Sequence, residues 1–331
     1  MSESTPRLTP TSRRLLDVLT ADRRRVLITF GAAVLVFVVG AFLHEGFASA
    51  DSVKAILVVA SFVGIVAAGQ TFVIFVGGID LSVPWVLNAA AILFATASLG
   101  RDTRAAYAVL IALGLGAAVG AVNGLCISYL AVPAVVMTLA MNGIMEGLTL
   151  GRTQGLTCET CASYAPPALQ KAIHDEVGGL PVQLILWFGV MVLVTFVLSF
   201  TTFGRRIYAT GNNSLAAYLA GINVRVVTVV LYMLSGLFAA LGGIILVAYS
   251  GQPTLGLGDP FLFQSIAAAV IGGVSILGGR GHYLGTVAGA IGLIGLISLL
   301  QAQNMPEYGR SIVYGVAILV VLLLFGREEQ A

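Results

Sequence analysis

The sequence predicts an all-α, polytopic integral membrane protein: a bundle of about ten transmembrane helices. Three observations carry that expectation. Of 331 residues, 58% are apolar and only 10% are charged, whereas soluble domains average about 45–50% apolar and about 25% charged. Mean hydropathy is +0.99, so the chain could not clothe a water-facing surface in polar groups. Glycine is abundant at 40 residues, as expected where helices pack closely in lipid through small side chains.

A crossing helix needs about 20 apolar residues. Ten segments meet or approach that length: 26–44, 55–76, 84–99, 105–129, 132–150, 183–203, 226–249, 262–278, 283–303 and 310–326. The third and eighth are short, so they are expected to be tilted, broken or covered by neighbours. A buried soluble bundle is excluded because too many of these segments lack a polar face.

Arginine and lysine set the orientation. Arg7, Arg13, Arg14, Arg23, Arg24 and Arg25 precede the first span, and Arg205, Arg206, Arg225, Arg280 and Arg327 fall on the same side of a ten-span chain. The opposite side holds Lys54, Arg101, Arg104, Arg152, Lys171 and Arg310, six of the 17 basic residues. The positive-inside rule then places both termini in the cytoplasm of a multi-pass inner-membrane protein. The long leader and the roughly 18-residue apolar run before Ala48-Ser49-Ala50 argue that the first span is retained rather than cleaved.

This gives a cytoplasmic segment 1–25, a transmembrane domain 26–326 and a cytoplasmic tail 327–331. Around Arg13–Leu19 a short basic amphipathic helix on the inner surface is expected. An outer loop 151–182, with Pro166, Pro167 and Pro181, reads as ordered with short helical pieces. The second large loop, 204–225, is cytoplasmic. Val76-Gly77-Gly78-Ile79 is echoed by Ile271-Gly272-Gly273-Val274, though glycine-rich chains produce such matches by chance.

Signals for enzymatic chemistry are missing. No glycine-rich phosphate loop ending in Gly-Lys-Ser/Thr occurs, and the only lysines, Lys54 and Lys171, belong to the outer side. His44, His174 and His282 are scattered over three loops, and no cofactor or metal is expected. Cys158-Glu159-Thr160-Cys161 stands alone on the outer loop, where it reads as a local disulfide or two free thiols. A net charge of +2 gives no reason to expect nucleic acid.

Isolated polar residues in apolar surroundings are more informative. A carboxylate at membrane depth costs several kcal/mol unless paired or hydrated, which singles out Asp80 and Glu146. With Gln70, Ser82 and Asn142 they are candidates to line or shape a translocation path. The alternative for Asp80 is a local cap on the helix beginning near Pro84.

Three blocks carry a family resemblance. They are Gly69-Gln70-Thr71-Phe72-Val73-Ile74 with Gly77-Gly78-Ile79-Asp80-Leu81-Ser82-Val83; Gly204-Arg205-Arg206 through Gly211-Asn212-Asn213 to Gly221-Ile222; and Ile266-Ala267-Ala268 through Gly278-Gly279-Arg280-Gly281 to Gly285-Thr286. In this order, over roughly residues 55–326, the chain resembles the ribose/xylose/arabinose-type ABC permease family. It departs from the family pattern at Pro84, at Glu146 and over Phe261–Ser265, where the family commonly has Gly, Arg and an acidic stretch. The resemblance implies a sugar-importer subunit that pairs with a second permease chain. It also implies a cytoplasmic ABC ATPase and a periplasmic or extracellular solute-binding protein as partners. Ion-gradient-driven transport is the competing reading, but that class would show ionisable relays in several helices.

The resemblance and the local pattern together mark Gly211–Ile222 as a short helix that couples to the ATPase. Asn212 or Asn213 can cap its start, and Gly221 can close it with a left-handed backbone. Leu215, Tyr218, Leu219 and Ile222 fall at helical spacing on one stripe. Small Ala216 and Ala217 would let a partner approach closely.

Overall fold

The computed structural model describes residues 10–155 and 164–306, together with 308–310, 312–313, 315–316 and 319. Among the described residues up to 306, twelve α-helices follow one another: α1 Pro10–Leu43, α2 Ala50–Ile74, α3 Val83–Ser98, α4 Ala105–Tyr129, α5 Ala134–Thr153, α6 Pro167–His174, α7 Val182–Phe200, α8 Thr202–Asn212, α9 Ser214–Leu219, α10 Val224–Ser250, α11 Asp259–Ile271 and α12 Tyr283–Ala302. A two-stranded hairpin, β1 Glu176–Val177 with β2 Leu180–Pro181, follows α6.

Seven of these helices contain a stretch long and apolar enough to cross a membrane, and α3 and α11 are shorter apolar helices. The tenth expected span, 310–326, lies largely outside the described residues, as do Cys158, Cys161 and the tail 327–331. α1 departs from expectation: it runs unbroken from Pro10, so Arg13–Leu19 belong to the same helix as the first span rather than to a separate one. Within 151–182 the described residues form α6, and also the hairpin, which was not expected.

α2 is the central pillar. It is buried from Ala60 to Ile74 without interruption and packs against α7, α10, α11 and α12. α10 lies across α2, α3 and α4, and α1 lies against α12. Polar contacts tie the pillar in: Tyr283 Oη donates to the Gly64 carbonyl at 2.8 Å, and the Thr71 and Thr286 hydroxyls meet at 3.0 Å.

Lipid offers no hydrophobic drive between helices, so close van der Waals packing must hold them. α4 and α10 form the most extensive pair, and glycine sets their separation. A Cβ on Gly120 would run into the Tyr232 carbonyl, and one on Gly116 into Gly236. Gly272 and Gly285 bring the end of α11 against the start of α12 in the same way.

The two short helices explain the irregular backbone at this depth. α3, at 16 residues, spans about 24 Å, less than the roughly 30 Å hydrocarbon core. It is preceded by the turn 75–82, while α11 is flanked by 251–258 and 272–282. Non-helical backbone inside a membrane survives only when protein covers it and its polar groups are paired. Gly78 N–H donates to Val73 O, Gly279 N–H to Phe75 O and Ser275 N–H to Arg280 O. The Asn88 carboxamide donates to Thr254 O at 2.9 Å and accepts from Gly256 N–H at 3.0 Å, fastening the segment before α11 to α3. Pro84 sits in the first turn of α3, where its missing N–H costs nothing.

Gly120→Val tests the packing account. Overpacking of this kind costs about 1–3 kcal/mol, so heat-induced unfolding in detergent should begin at clearly lower temperature. Gly143→Ala on α5, whose new Cβ meets nothing within 4 Å, should leave the transition where it is.

Candidate functional site

The break between α2 and α3 places Asp80 at a junction of four helices. Its side chain is 1% exposed, and both carboxylate oxygens are engaged. Oδ1 accepts from the Ser82 N–H at 3.0 Å and the Ser82 hydroxyl at 2.6 Å. Oδ2 accepts from the Ser235 hydroxyl of α10 at 2.7 Å. Gln70, in the last turn of α2, brackets the Asp80 main chain, donating to its carbonyl at 3.3 Å and accepting from its N–H at 3.2 Å. Asn123 of α4 donates to the Ser82 hydroxyl at 2.9 Å, completing the set.

Burial disfavours a charge on Asp80, and the three donors act against that penalty. Asp80 thus has two structural contacts, one within its own turn and one to α10. It organises the lead-in to α3 through Ser82, and it cross-links that lead-in to α10. Tyr232 Oη and Asn123 Oδ1, both buried, have no hydrogen-bond partner among the described residues. Tyr232 lies one helical turn before Ser235, under Gly78, where any Cβ would strike the phenol oxygen.

Asn142 and Glu146 are not part of this hub. They lie on α5, four and eight residues beyond Thr138, and both are half-buried. Thr138 provides the link: its hydroxyl approaches the Ile79 carbonyl at 3.3 Å, beside Asp80, while bonding Ala134 O at 2.9 Å. Asn142 and Glu146 thus continue along α5 from the hub at intervals of about 6 Å. The structure brings Gln70, Asp80 and Ser82 together and sets Asn142 and Glu146 in a column above them. Sequence reasoning missed Asn123, Thr138, Tyr232 and Ser235. Asn123 could have been found as Asn142 was, as an amide stranded in an apolar span.

Beside that column, α3, α4 and α5 enclose a cleft of about 960 Å³. Its walls include Leu93, Val119, Met141 and Met145, with Thr149 and Arg152 toward the α6 end of α5. The opposite face of α5 exposes Gly143, Gly147 and Gly151, where an added Cβ would meet nothing.

The α8–α9 region corrects the expected single helix over Gly211–Ile222. Gly211 and Asn212 close α8, and α9 covers only Ser214–Leu219. Asn213 is the cap: its side chain accepts from Ala216 N–H at 2.9 Å. Gly221 ends the turn at φ +85°, a left-handed conformation that suits glycine. Leu215, Tyr218 and Leu219 are 66%, 67% and 77% exposed. Ile222 instead packs on the core, so it leaves the stripe. Ala217 is buried at 4% and turns inward, so it offers no surface to a partner, whereas Ala216 is exposed.

The fold is a polytopic helical bundle interrupted before α3 and on both sides of α11, with a polar hub at the first break. The chain belongs to the family described as branched-chain amino acid transport system / permease component, which matches residues 52–322. It is 34% identical over 300 residues to the ribose import permease protein of Escherichia coli (strain K12), covering 90% of this chain and 92% of the relative. The ribose import permease protein of Haemophilus influenzae is 31% identical over 297 residues, covering 89% and 91%. The autoinducer 2 import system permease protein of Escherichia coli (strain K12 / DH10B) is 32% identical over 315 residues, covering 92% and 88%. No solved structure matches the chain.

The hub makes a stability and transport prediction. Asp80→Ala strands the Ser82 and Ser235 donors, each costing about 1–3 kcal/mol when buried without a partner. The variant should unfold several degrees below the wild type in detergent and should take up solute far more slowly at matched expression. Ser235→Ala, which removes one donor, should lie between the two.

Proposed function

We propose that this chain is the membrane-spanning subunit of an ATP-driven importer for a sugar or a similarly small polar solute. The observation that carries the reading is the match to ribose and autoinducer 2 import permeases across about nine-tenths of the chain. In this reading Gln70, Asp80 and Ser82 shape the translocation path at the break before α3, and Asn142 and Glu146 continue it along α5. The open glycine face of α5 supports closure of that path by a second permease chain, because small residues let helices approach closely. Hydroxyls, amides and one or two carboxylates among apolar walls suit an uncharged, hydroxyl-rich solute.

Energy comes from a separate cytoplasmic ATPase, since the sequence carries no phosphate loop. α9 is its docking element: three large apolar side chains stand exposed on a helix of only six residues. In this reading both termini, α8 and α9 lie in the cytoplasm, and α6 with the hairpin lies outside, facing a solute-binding protein.

Two measurements test this reading. In a chain with Cys158 and Cys161 replaced by serine, a cysteine introduced within 167–174 should react with an impermeant thiol reagent in intact cells. A cysteine at Leu215 should be protected until the membrane is opened, and the reverse pattern contradicts the orientation. Leu219→Asp should leave the protein inserted but prevent co-purification of the ATPase. Uptake of labelled ribose into proteoliposomes holding the permease, its ATPase and its binding protein, challenged with other sugars, tests the solute class. Failure of every sugar to compete or to be carried overturns it.

A further inference from the structure

Three main-chain segments remote in sequence meet where α8 ends. They are Phe75–Gly78, after α2; Gly211–Asn212, closing α8; and Leu277–Gly281, before α12. Glycine stands at each crossing. A Cβ on Gly211 would collide with the Phe75 carbonyl and the Gly279 main chain, and one on Gly278 would crowd Gly77, Phe75 and Gly211. The crossing is then closed by hydrogen bonds. Phe75 O accepts from Gly279 N–H at 2.8 Å. Asn212 Nδ2 donates to Gly279 O at 3.1 Å and to Tyr208 O at 2.9 Å. Tyr208 Oη donates to Gly281 O at 2.9 Å, and its ring lies 5.1 Å from that of Phe75.

α8 therefore cannot shift without moving both lead-in segments. On one side of the crossing, Asn212 adjoins Asn213, the cap of α9, so the exposed α9 surface is one residue from the joint. On the other side, Gly78 lies under Tyr232 and two residues before Asp80. The opposite lead-in reaches α12 through His282, which accepts from Leu284 N–H at 3.1 Å and meets the Ser199 hydroxyl of α7 at 3.2 Å. A series of direct contacts thus runs from α9, through Asn213 and the joint, to the hub.

We propose that Tyr208 and Asn212 are positioning residues for transport: they lock α8 to the two lead-in segments and transmit movement of α9 to the Asp80 hub. The inference rests on the docking role assigned to α9 and adds the joint behind it. Asn212 thereby acts through the permease's own backbone rather than as a cap or a docking residue. Tyr208→Phe removes one hydroxyl without changing volume, and Asn212→Ala removes two hydrogen bonds.

The test uses the Tyr208→Phe/Asn212→Ala double variant in two settings. For the permease alone in lipid nanodiscs, amide hydrogen exchange should accelerate over 75–82 and 275–281 and stay unchanged in α6. In proteoliposomes with the ATPase and binding protein, the variant should keep its ATPase and hydrolyse ATP, while solute carried per ATP falls at least about five-fold. Unchanged exchange in the lead-ins overturns the joint, as does an unchanged ratio of solute to ATP. Loss of the ATPase from the double variant also overturns it, because Tyr208 and Asn212 would then belong to the docking surface. A Leu219→Asp protein that retains its ATPase removes the docking role of α9, and the exchange measurement still decides the joint.

Discussion

A single carboxylate buried where a helix has been interrupted governs this fold. Placing Asp80 out of contact with water is costly, and the cost is met by Ser82 from its own turn and Ser235 from α10. Those bonds constrain everything nearby. Ser82 must stand just before α3, Ser235 must face the break, and Gln70 must lie near the end of α2 where it can reach the Asp80 main chain. An interrupted helix would otherwise expose unpaired N–H and C=O groups at a depth that supplies no water. The hub turns that weakness into the fixed point between α2, α3, α4 and α10.

Close packing makes the hub reachable. Asn123 touches Ser82 because Gly116, Gly120 and Gly124 let α4 lie against the backbone of α10. The same device recurs where α8 meets the lead-ins to α3 and α12, through Gly211, Gly278 and Gly279. Backbones in direct contact leave no side chain to repack, so displacement of one segment displaces its neighbours. Such contacts are suited to carrying movement from a surface helix to a buried polar junction. By contrast, α5 is attached to the bundle along one face only, and its other face exposes Gly143, Gly147 and Gly151.

Much of this was legible in the sequence, for identifiable reasons. Span positions follow from composition, because a long apolar run crosses lipid as a helix, and α3 and α11 were visible as short spans. Asn213 and Gly221 were legible because capping and left-handed closure are local chemistry. Asp80 stood out because acids are rare at that depth. What stayed hidden depends on distant neighbours. Helical spacing placed Leu215, Tyr218, Leu219 and Ile222 on one stripe, but only the tertiary fold turns Ile222 to the core and Ala217 inward. Ser235 looks like any small polar residue in a span until Asp80 arrives opposite it. Asn212 reads as a cap until Gly279 is seen beside it, 67 residues away.

The central claim is that Asp80 and Ser235 act as one unit joining the break to α10. A double-mutant cycle on thermal unfolding in nanodiscs, with Asp80→Asn, Ser235→Ala and both together, measures that directly. Contacting residues in one network couple by about 0.5–3 kcal/mol, and a value of at least about 1 kcal/mol is expected here, because this 2.7 Å bond is fully buried. Strict additivity of the two substitutions would contradict the account.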